Sequence, residues 1–146
     1  MTFCENKLEF VLNEDIGKLI LRLSIAGLML FHGFFKLFNG IDDIKFLVTN
    51  VGLPEFVAYG VYLGEIVFPI LIILGLFTRI SSLFFALTMV FAIFLAHGSE
   101  IFALGKTGGP VIELALLYLL ASISIMFIGA GKYSFDAKCK KCEIKA

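Results

Sequence analysis

The chain has 146 residues, 60% of them hydrophobic, a mean hydropathy of +0.99 and no net formal charge. A folded domain of this size does not hide so much apolar surface, because a short chain buries only about two thirds of its surface on folding. Composition therefore excludes a disordered chain, argues against a soluble monomer, and predicts one integral membrane domain with no charge to attract nucleic acid.

Residues 1–18 precede the first apolar stretch and carry acidic side chains at Glu5, Glu9, Glu14 and Asp15. A cleaved signal peptide would begin with a basic segment and end at a small-residue cleavage site. This segment has neither feature. We therefore expect it to be an N-terminal cytoplasmic segment, followed by a first span that is retained.

Four apolar stretches meet the length needed to cross a hydrocarbon core of ~30 Å, which takes about 20 residues of helix. Backbone groups in lipid must be satisfied within their own segment, so these stretches are predicted to be helices. The predicted spans are residues 19–38, 56–77, 80–96 and 111–128. The expected fold is an all-α, integral membrane four-helix bundle over residues 19–129.

The connections between the spans also carry local signals. Residues 39–54 interleave apolar and charged side chains, so we expect an amphipathic helix lying at the membrane interface. Residues 75–79 form so short a connection that the second and third spans should be antiparallel neighbours. The last connection ends at Pro110, which suits the first turn of a helix because the missing N–H has no helical partner there.

Basic residues predict the orientation, because cytoplasmic loops carry an excess of Lys and Arg. Of the 12 basic residues, nine lie on the side of the two termini, and three, Lys36, Lys45 and Lys106, lie on the other side. Both termini are therefore expected to face the cytoplasm. The basic residues Arg22 and Arg79 lie near the cytoplasmic ends of their spans, and we expect them to anchor those ends by reaching to the interface.

Ionisable side chains inside the spans form the predicted site, because a charge in a membrane is costly without a partner or water. At a rise of ~1.5 Å per residue, five of them fall in the outer half of the bundle. They are His32, Lys36, Glu65, His97 and Glu113. His32 and Lys36 are four residues apart, so they share one face of the first helix.

Several chemistries fit this layer. Imidazole and carboxyl groups transfer protons and hydrogen-bond a quinone headgroup, so Glu65, His32 and Lys36 are the catalytic candidates. His32, His97, Glu113 and Glu65 are the cofactor-binding candidates. Two His and two carboxylates could instead hold a transition metal. The structural alternative is a set of buried ion pairs, Lys36 with Glu65 or His32 with Glu113, that fixes the register of the helices.

Small residues predict close helix contacts. Gly60 and Gly64 form a G-x-x-x-G directly before Glu65, and the first span contains Gly27 and Gly33. Such residues let the backbones of two helices approach each other. We interpret them as packing positions within the bundle or between protomers.

The C-terminal residues 130–146 form a basic cytoplasmic tail in which Cys139 and Cys142 make a C-x-x-C. A structural zinc site takes four ligands, and the sequence offers only Cys4 as a further cysteine. No strand context supports a thioredoxin-like motif. We assign no metal site, keep Cys139 and Cys142 as candidates for metal or redox chemistry, and note a basic patch at the membrane surface as the alternative.

Two segments resemble the DoxX family of small membrane proteins, LRLSIAGLMLFHGFFKLF at residues 21–38 and YLGEIVFPILIILGLFTR at residues 62–79. The GKYSFD segment at residues 131–136 is also similar to the family, and the likeness covers roughly residues 17–136. The positions that match the family pattern are Arg22, His32, Gly33, Lys36, Glu65, Thr78 and Arg79.

The resemblance implies a four-helix, multi-pass protein of the bacterial inner membrane. The namesake of the family is a small subunit of a thiosulfate:quinone oxidoreductase, and relatives are partners in membrane redox complexes. Quinone is therefore the cofactor that the resemblance suggests. Other branches include a methylamine-utilisation protein and eukaryotic cargo receptors, so the fold alone does not fix the function.

The preferred interpretation is a redox-associated, inner-membrane subunit whose polar layer binds quinone or moves protons. We expect contact with the lipid bilayer and with a protein partner or a second copy, because four short helices enclose too little room for a complete redox enzyme. The alternative is a non-enzymatic scaffold protein. A small-solute permease is less well supported, because the sequence shows no inverted repeat or pair of discontinuous helices.

Overall fold

The computed structural model describes residues 13–98, 101, 103–105 and 108–143. The regular elements of these residues are helices, and an isolated backbone bridge joins Leu104 to Pro110. In chain order the helices are α1 (Glu14–Asn39), α2 (Asp42–Asn50), α3 (Glu55–Leu74), α4 (Thr78–His97), α5 (Glu113–Ile128) and α6 (Phe135–Glu143). The described chain is therefore all-α.

Helices α1, α3 and α4 are long and apolar enough to cross a membrane. Helix α5 is apolar but has only 16 residues, a length of about 24 Å, which is short of the hydrocarbon thickness. The protein is therefore a helical membrane protein in contact with lipid. The four-span count and the cytoplasmic placement of both termini stay predictions.

Helix α1 begins within the predicted N-terminal segment and runs without interruption for 26 residues. The side chain of Asn13 accepts the N–H of Asp15 at 2.9 Å, and the acidic residues Glu14 and Asp15 occupy the first turn. A capping oxygen and negative charge both stabilise the N-terminus of a helix. The local sequence therefore starts α1 at Glu14, before the apolar stretch begins.

Helix α3 changes its winding along its length. It opens with a 3₁₀ segment at Glu55–Tyr59, passes through one α turn, forms a π turn at Leu63–Val67 and continues as an α-helix over Phe68–Leu74. Pro69 follows the π turn, and a proline has no N–H to offer the carbonyl four residues earlier, which here is that of Glu65. The N–H of Phe68 instead donates to the carbonyl of Leu63.

Helix α3 ends at a tight turn into α4. Gly75 adopts a left-handed conformation, with φ of +72°, and the N–H of Leu76 donates to the carbonyl of Leu71 at 3.0 Å. This arrangement is the one that glycine commonly gives to the C-terminus of a helix. Phe77 is the one non-glycine residue in the described chain with a positive φ, and α4 starts immediately after it.

Helices α1, α3, α4 and α5 pack around one apolar core. Its buried members are Ala26, Met29, Ile72, Phe85, Met89, Tyr118 and Ile125. Helix α2 lies in the link predicted to be interfacial and packs through a separate cluster of Ile41, Val48 and Ala58, with Leu95 of α4 against it. Helix α2 is thereby held against α3 and α4.

Two glycines allow close contacts around the π turn. A Cβ on Gly33 of α1 would lie 2.7 Å from the carbonyl oxygen of Glu65, and a Cβ on Gly64 would overlap Thr88 of α4. No atom lies within 4 Å of the Cβ positions of Gly27 and Gly60. Of the predicted packing positions, Gly33 and Gly64 therefore make the close approaches, and both lie next to Glu65.

Candidate functional site

An ion pair joins α1 to the π turn of α3. The ammonium of Lys36 donates to Oε1 of Glu65. Only 6% of the Glu65 side chain is exposed, whereas 29% of the Lys36 side chain is exposed. A buried carboxylate without a partner would cost several kcal/mol, and the contact with Lys36 offsets that cost.

The second carboxylate oxygen of Glu65 is different from the first. Oε2 is buried, and within the described residues it has no hydrogen-bond partner. A buried polar atom without a partner costs about 1–3 kcal/mol, and most such atoms in folded proteins are paired. Glu65 therefore keeps a strong acceptor that the described part of the chain does not use.

Lys36 and Glu65 line an apolar cavity of about 490 Å³ between helices α1, α2, α3 and α4. Its other walls are made mainly by aliphatic and aromatic side chains from α2, α3 and α4, among them Leu47, Val61, Phe68, Phe84, Leu87, Phe91 and Leu95. Thr88 adds one hydroxyl to the lining, but that hydroxyl donates to the carbonyl of Phe84 at 2.9 Å. An apolar cavity with a few polar groups is the usual form of a small-molecule site.

Lys45 fastens α2 beside this cavity. Its ammonium lies 3.1 Å from a carboxylate oxygen of Glu55 and 5.4 Å from the centroid of the Tyr59 ring, both at the start of α3. Asp42 lies 3.6 Å from the same ammonium. The contact with Glu55, and after it the contact with Tyr59, raises the pKa of Lys45 above its usual value.

The other candidates of the predicted layer lie outside the cavity lining. The ring of His32 packs edge-on against Tyr118 of α5, with centroids 6.2 Å apart. His97 is the last residue of α4, and Glu113 is the first residue of α5, beside a shallower depression at Gly109. The structure therefore brings Lys36 and Glu65 together and distributes the other three among different contacts.

Arg22 is not an interfacial anchor, contrary to the expectation from its position. It is 1% exposed, and its guanidinium donates to four carbonyls, those of Ile72 (2.8 Å), Ile73 (2.8 Å), Tyr133 (3.1 Å) and Ala130. The last carbonyls of a helix have no partner within it, and arginine has five donors to offer. Arg22 therefore closes the end of α3 against the segment that follows α5.

Asp136 completes this arrangement from the other side. Its carboxylate accepts the N–H groups of Phe77 (2.8 Å) and Thr78 (2.9 Å) at the start of α4, and its own N–H donates to the carbonyl of Gly75 at 2.9 Å. We call Arg22, Gly75, Thr78 and Asp136 the Arg22 cluster. It joins three segments that carry the family resemblance. Arg79, by contrast, is exposed, as an anchoring residue would be.

The cysteine candidates are placed only in part. Cys139 is exposed on α6, while Cys4 and the side chain of Cys142 lie outside what the structure describes. Within the described residues, no group of three or more His, Cys, Asp or Glu side chains is arranged to hold a metal ion. The two-His, two-carboxylate arrangement considered for a metal is not assembled there.

Three long apolar helices, with a buried ion pair beside an apolar cavity, define a helical membrane protein with a candidate site for a small amphiphile. Residues 17–98 match the DoxX family, which is more than half of the chain. The chain therefore belongs to the DoxX family. The matched region contains most of α1, all of α2, α3 and α4, and both charged residues of the cavity.

Curated relatives agree with this assignment. The chain is 34% identical over 123 residues to a Bacillus subtilis (strain 168) protein named "Putative oxidoreductase CatD", covering 84% of this chain and 86% of that protein. It is 35% identical over 122 residues to an uncharacterized protein of Haemophilus influenzae, covering 81% of this chain and 87% of that protein. No solved structure matches the chain.

Proposed function

We propose that this protein is a redox-associated subunit of the bacterial inner membrane whose polar site binds a quinone headgroup or passes protons. The observation that carries the proposal is the buried Lys36–Glu65 pair in the wall of an apolar cavity of about 490 Å³. A quinone needs an apolar space for its ring and tail and a small number of polar groups for its oxygens. The relative named as an oxidoreductase supports the same reading.

In this proposal each charged residue has its own task. Lys36 and Glu65 hold the headgroup. His32, which lies on the same helix as Lys36 and packs against Tyr118 of α5, is the group that we assign to proton transfer. His97 and Glu113, at the end of α4 and the start of α5, are the further candidates for proton transfer. A bound quinone would supply two-electron chemistry coupled to two protons, while the chain contributes binding, orientation and proton transfer.

The proposed topology places α5 as a fourth span and both termini in the cytoplasm. A span of 16 residues crosses a bilayer that thins locally around it, at a modest free-energy cost. The excess of Lys and Arg on the side of the termini supports this orientation. The site then lies in the outer half of the membrane, and a protein partner or a second copy completes the redox assembly.

The test is a quinone inventory of the protein purified gently from its native membrane. Organic extraction of the wild type should release quinone in stoichiometric amount, and Glu65→Gln should lose it while keeping its helical content and its elution volume. Glu14→Gln is the matched control, because that carboxylate is 89% exposed on the same fold. A wild type that holds no quinone overturns the quinone-binding form of the proposal and leaves proton transfer alone, and a stable partner protein found with it would favour the scaffold alternative.

A further inference from the structure

We infer that the cavity is loaded sideways from the middle of the bilayer, through an opening between α3 and α4, by an uncharged amphiphile that carries an apolar chain. The inference rests on the site of the proposed function and narrows its ligand to molecules that dissolve in the hydrocarbon itself. It excludes water-soluble compounds and lipids whose charged headgroups stay at the membrane surface.

The cavity is open on one side, between α3 and α4. Its lining residues on α1 and α2 are buried or half-buried, whereas the exposed residues of the lining lie on α3 and α4. Leu63 of α3 and Leu87 of α4 are 54% and 52% exposed, and Phe84 and Phe91 of α4 are also exposed. We call the opening that these four side chains flank the mouth of the cavity.

The mouth lies halfway across the membrane. Leu87 is nine residues after Thr78 and ten residues before His97, the two ends of α4. At ~1.5 Å per residue these separations are about 14 and 15 Å, or half of a hydrocarbon core of ~30 Å. Since α4 is long and apolar enough to cross a membrane, the mouth faces the middle of the bilayer whichever end of the helix is cytoplasmic.

Helix α2 covers the cavity at the end where α1 finishes and α3 begins. Its side chains Leu47 and Val48 form part of the lining, and Val48 is buried in a cluster with Ala58 of α3. The contact of 3.1 Å between Lys45 and Glu55 holds α2 to the start of α3. A molecule dissolved in the water at this end therefore meets a packed helix and not an entrance.

The position of the mouth restricts the class of ligand. A charged headgroup is costly in the middle of a bilayer, whereas an uncharged ring with an apolar chain dissolves there. Lys36 and Glu65 form an ion pair, so the lining presents no net charge to attract an ionic headgroup. Phe68 and Phe84 stack in the wall with ring centroids 5.2 Å apart, which suits a ring or a chain. The ligand is therefore uncharged and mainly apolar.

The test uses tryptophan fluorescence, because this chain contains no tryptophan. Phe68→Trp places a reporter in the cavity wall of the full chain, which is exchanged in detergent to remove native ligand and then placed in lipid nanodiscs. Two quenchers carry a nitroxide on the headgroup of one long chain: 4-palmitamido-TEMPO is uncharged, and hexadecyl-dimethylammonio-TEMPO is a cation. We expect the uncharged quencher to be about tenfold or more effective per lipid. Equal quenching by the two overturns the inference.

Three controls define the route. Phe38→Trp lies in the last turn of α1 and is highly exposed, so both nitroxides should quench it. Phe85→Trp lies fully buried in the core, and no quencher should reach it. Iodide, which stays in water, should leave Phe68→Trp unchanged. Quenching of Phe68→Trp by iodide, or a response to the uncharged nitroxide no larger than that of Phe85→Trp, overturns the inference.

Two further variants test the mouth itself. Leu87→Phe, added to the Phe68→Trp chain, narrows the mouth and should reduce quenching by the uncharged nitroxide at least about twofold. Leu83→Phe is the matched control, because Leu83 is exposed on the same helix but lies outside the lining. Equal effects of the two place the entrance elsewhere and overturn the inference. If Phe68→Trp fails to fold, Ala92→Trp supplies a second reporter in the cavity wall, with the same expected and contrary results.

The quenching experiment and the quinone inventory fail independently. A protein whose cavity reporter responds as expected but that carries no native quinone keeps the inference and removes the quinone-binding form of the proposed function. A protein that carries native quinone but whose cavity reporter is quenched equally by the charged and uncharged nitroxides does the reverse.

Discussion

The Arg22 cluster and the Lys36–Glu65 pair are two polar sites in one small apolar protein, and they differ in how completely they are satisfied. Arg22 is buried and donates hydrogen bonds to four carbonyls, and both oxygens of Asp136 accept backbone N–H groups. Glu65 is just as buried but uses one oxygen only. A polar network in which every group is hydrogen-bonded stabilises the fold. A network that leaves one group without a partner stabilises it less, and that group is a candidate for a functional role.

The comparison predicts that the Arg22 cluster dominates stability. Arg22→Met keeps the length of the side chain and removes its donors, so the carbonyls of Ile72, Ile73, Ala130 and Tyr133 are left buried. We expect a loss of about 3–5 kcal/mol in the free energy of unfolding, measured by denaturant titration in detergent micelles. Arg79→Met is the matched control, because Arg79 is exposed, and it should change stability by less than about 0.5 kcal/mol. Similar losses for both variants would contradict the distinction.

The Lys36–Glu65 pair should behave as a coupled unit. Lys36→Met leaves a buried carboxylate, and we expect a loss of about 3 kcal/mol, at the low end for a broken buried pair because 29% of the Lys36 side chain is exposed. The double variant Lys36→Met, Glu65→Met removes both charges and should recover most of that stability while losing the bound quinone. A double-mutant cycle of unfolding free energies measures the coupling, and strictly additive losses would show that the two groups do not interact.

The smallest expected effect tests the contact that positions Glu65. Gly33→Ala places a methyl group against the carbonyl of Glu65, and we expect a loss of about 1–3 kcal/mol together with less bound quinone. Gly27→Ala lies two turns away on α1 with open space at its Cβ, and it should stabilise the helix by about 0.5–1 kcal/mol. Thermal unfolding of the two variants side by side checks the sign of each change. Destabilisation of both would contradict the claim that Gly33, and not Gly27, is required by a close contact.

Features that depend on residues close together in the sequence could be predicted, whereas contacts between residues far apart in the sequence could not. Long apolar stretches predict the membrane helices, because the length of a span follows from local composition. The positions of the charged residues along the predicted spans also suggested an ion pair between Lys36 and Glu65 as one alternative, and the structure contains this ion pair. The contacts of Arg22 reach carbonyls 50 to 111 residues away, and no local pattern marks carbonyls as partners.

Asp136 is a second residue whose contacts could not be predicted from the sequence around it. An N-terminal cap is usually read from the residue that precedes the helix, but here the carboxylate comes from 58 and 59 positions further along the chain. His32 illustrates the opposite case, because it lies on the same helix as Lys36 and only four residues before it, yet its ring packs against Tyr118 of α5. The position of a residue along a helix can be counted from the sequence, whereas the neighbouring helix that its side chain contacts depends on how the helices pack.

The π turn of α3 has a consequence for how this protein compares with its relatives. A π turn uses one residue more than an α turn, so it amounts to a single-residue insertion carried inside a membrane helix. Five residues of a π turn cover about the same rotation as four residues of an α-helix, so removing one residue between Leu63 and Val67 would restore a regular helix and leave the segments on either side facing their present neighbours. A relative whose sequence is one residue shorter between Gly60 and Pro69 would thus pack its third helix in the same way, and only the side chains of the turn itself, that of Glu65 among them, would change direction.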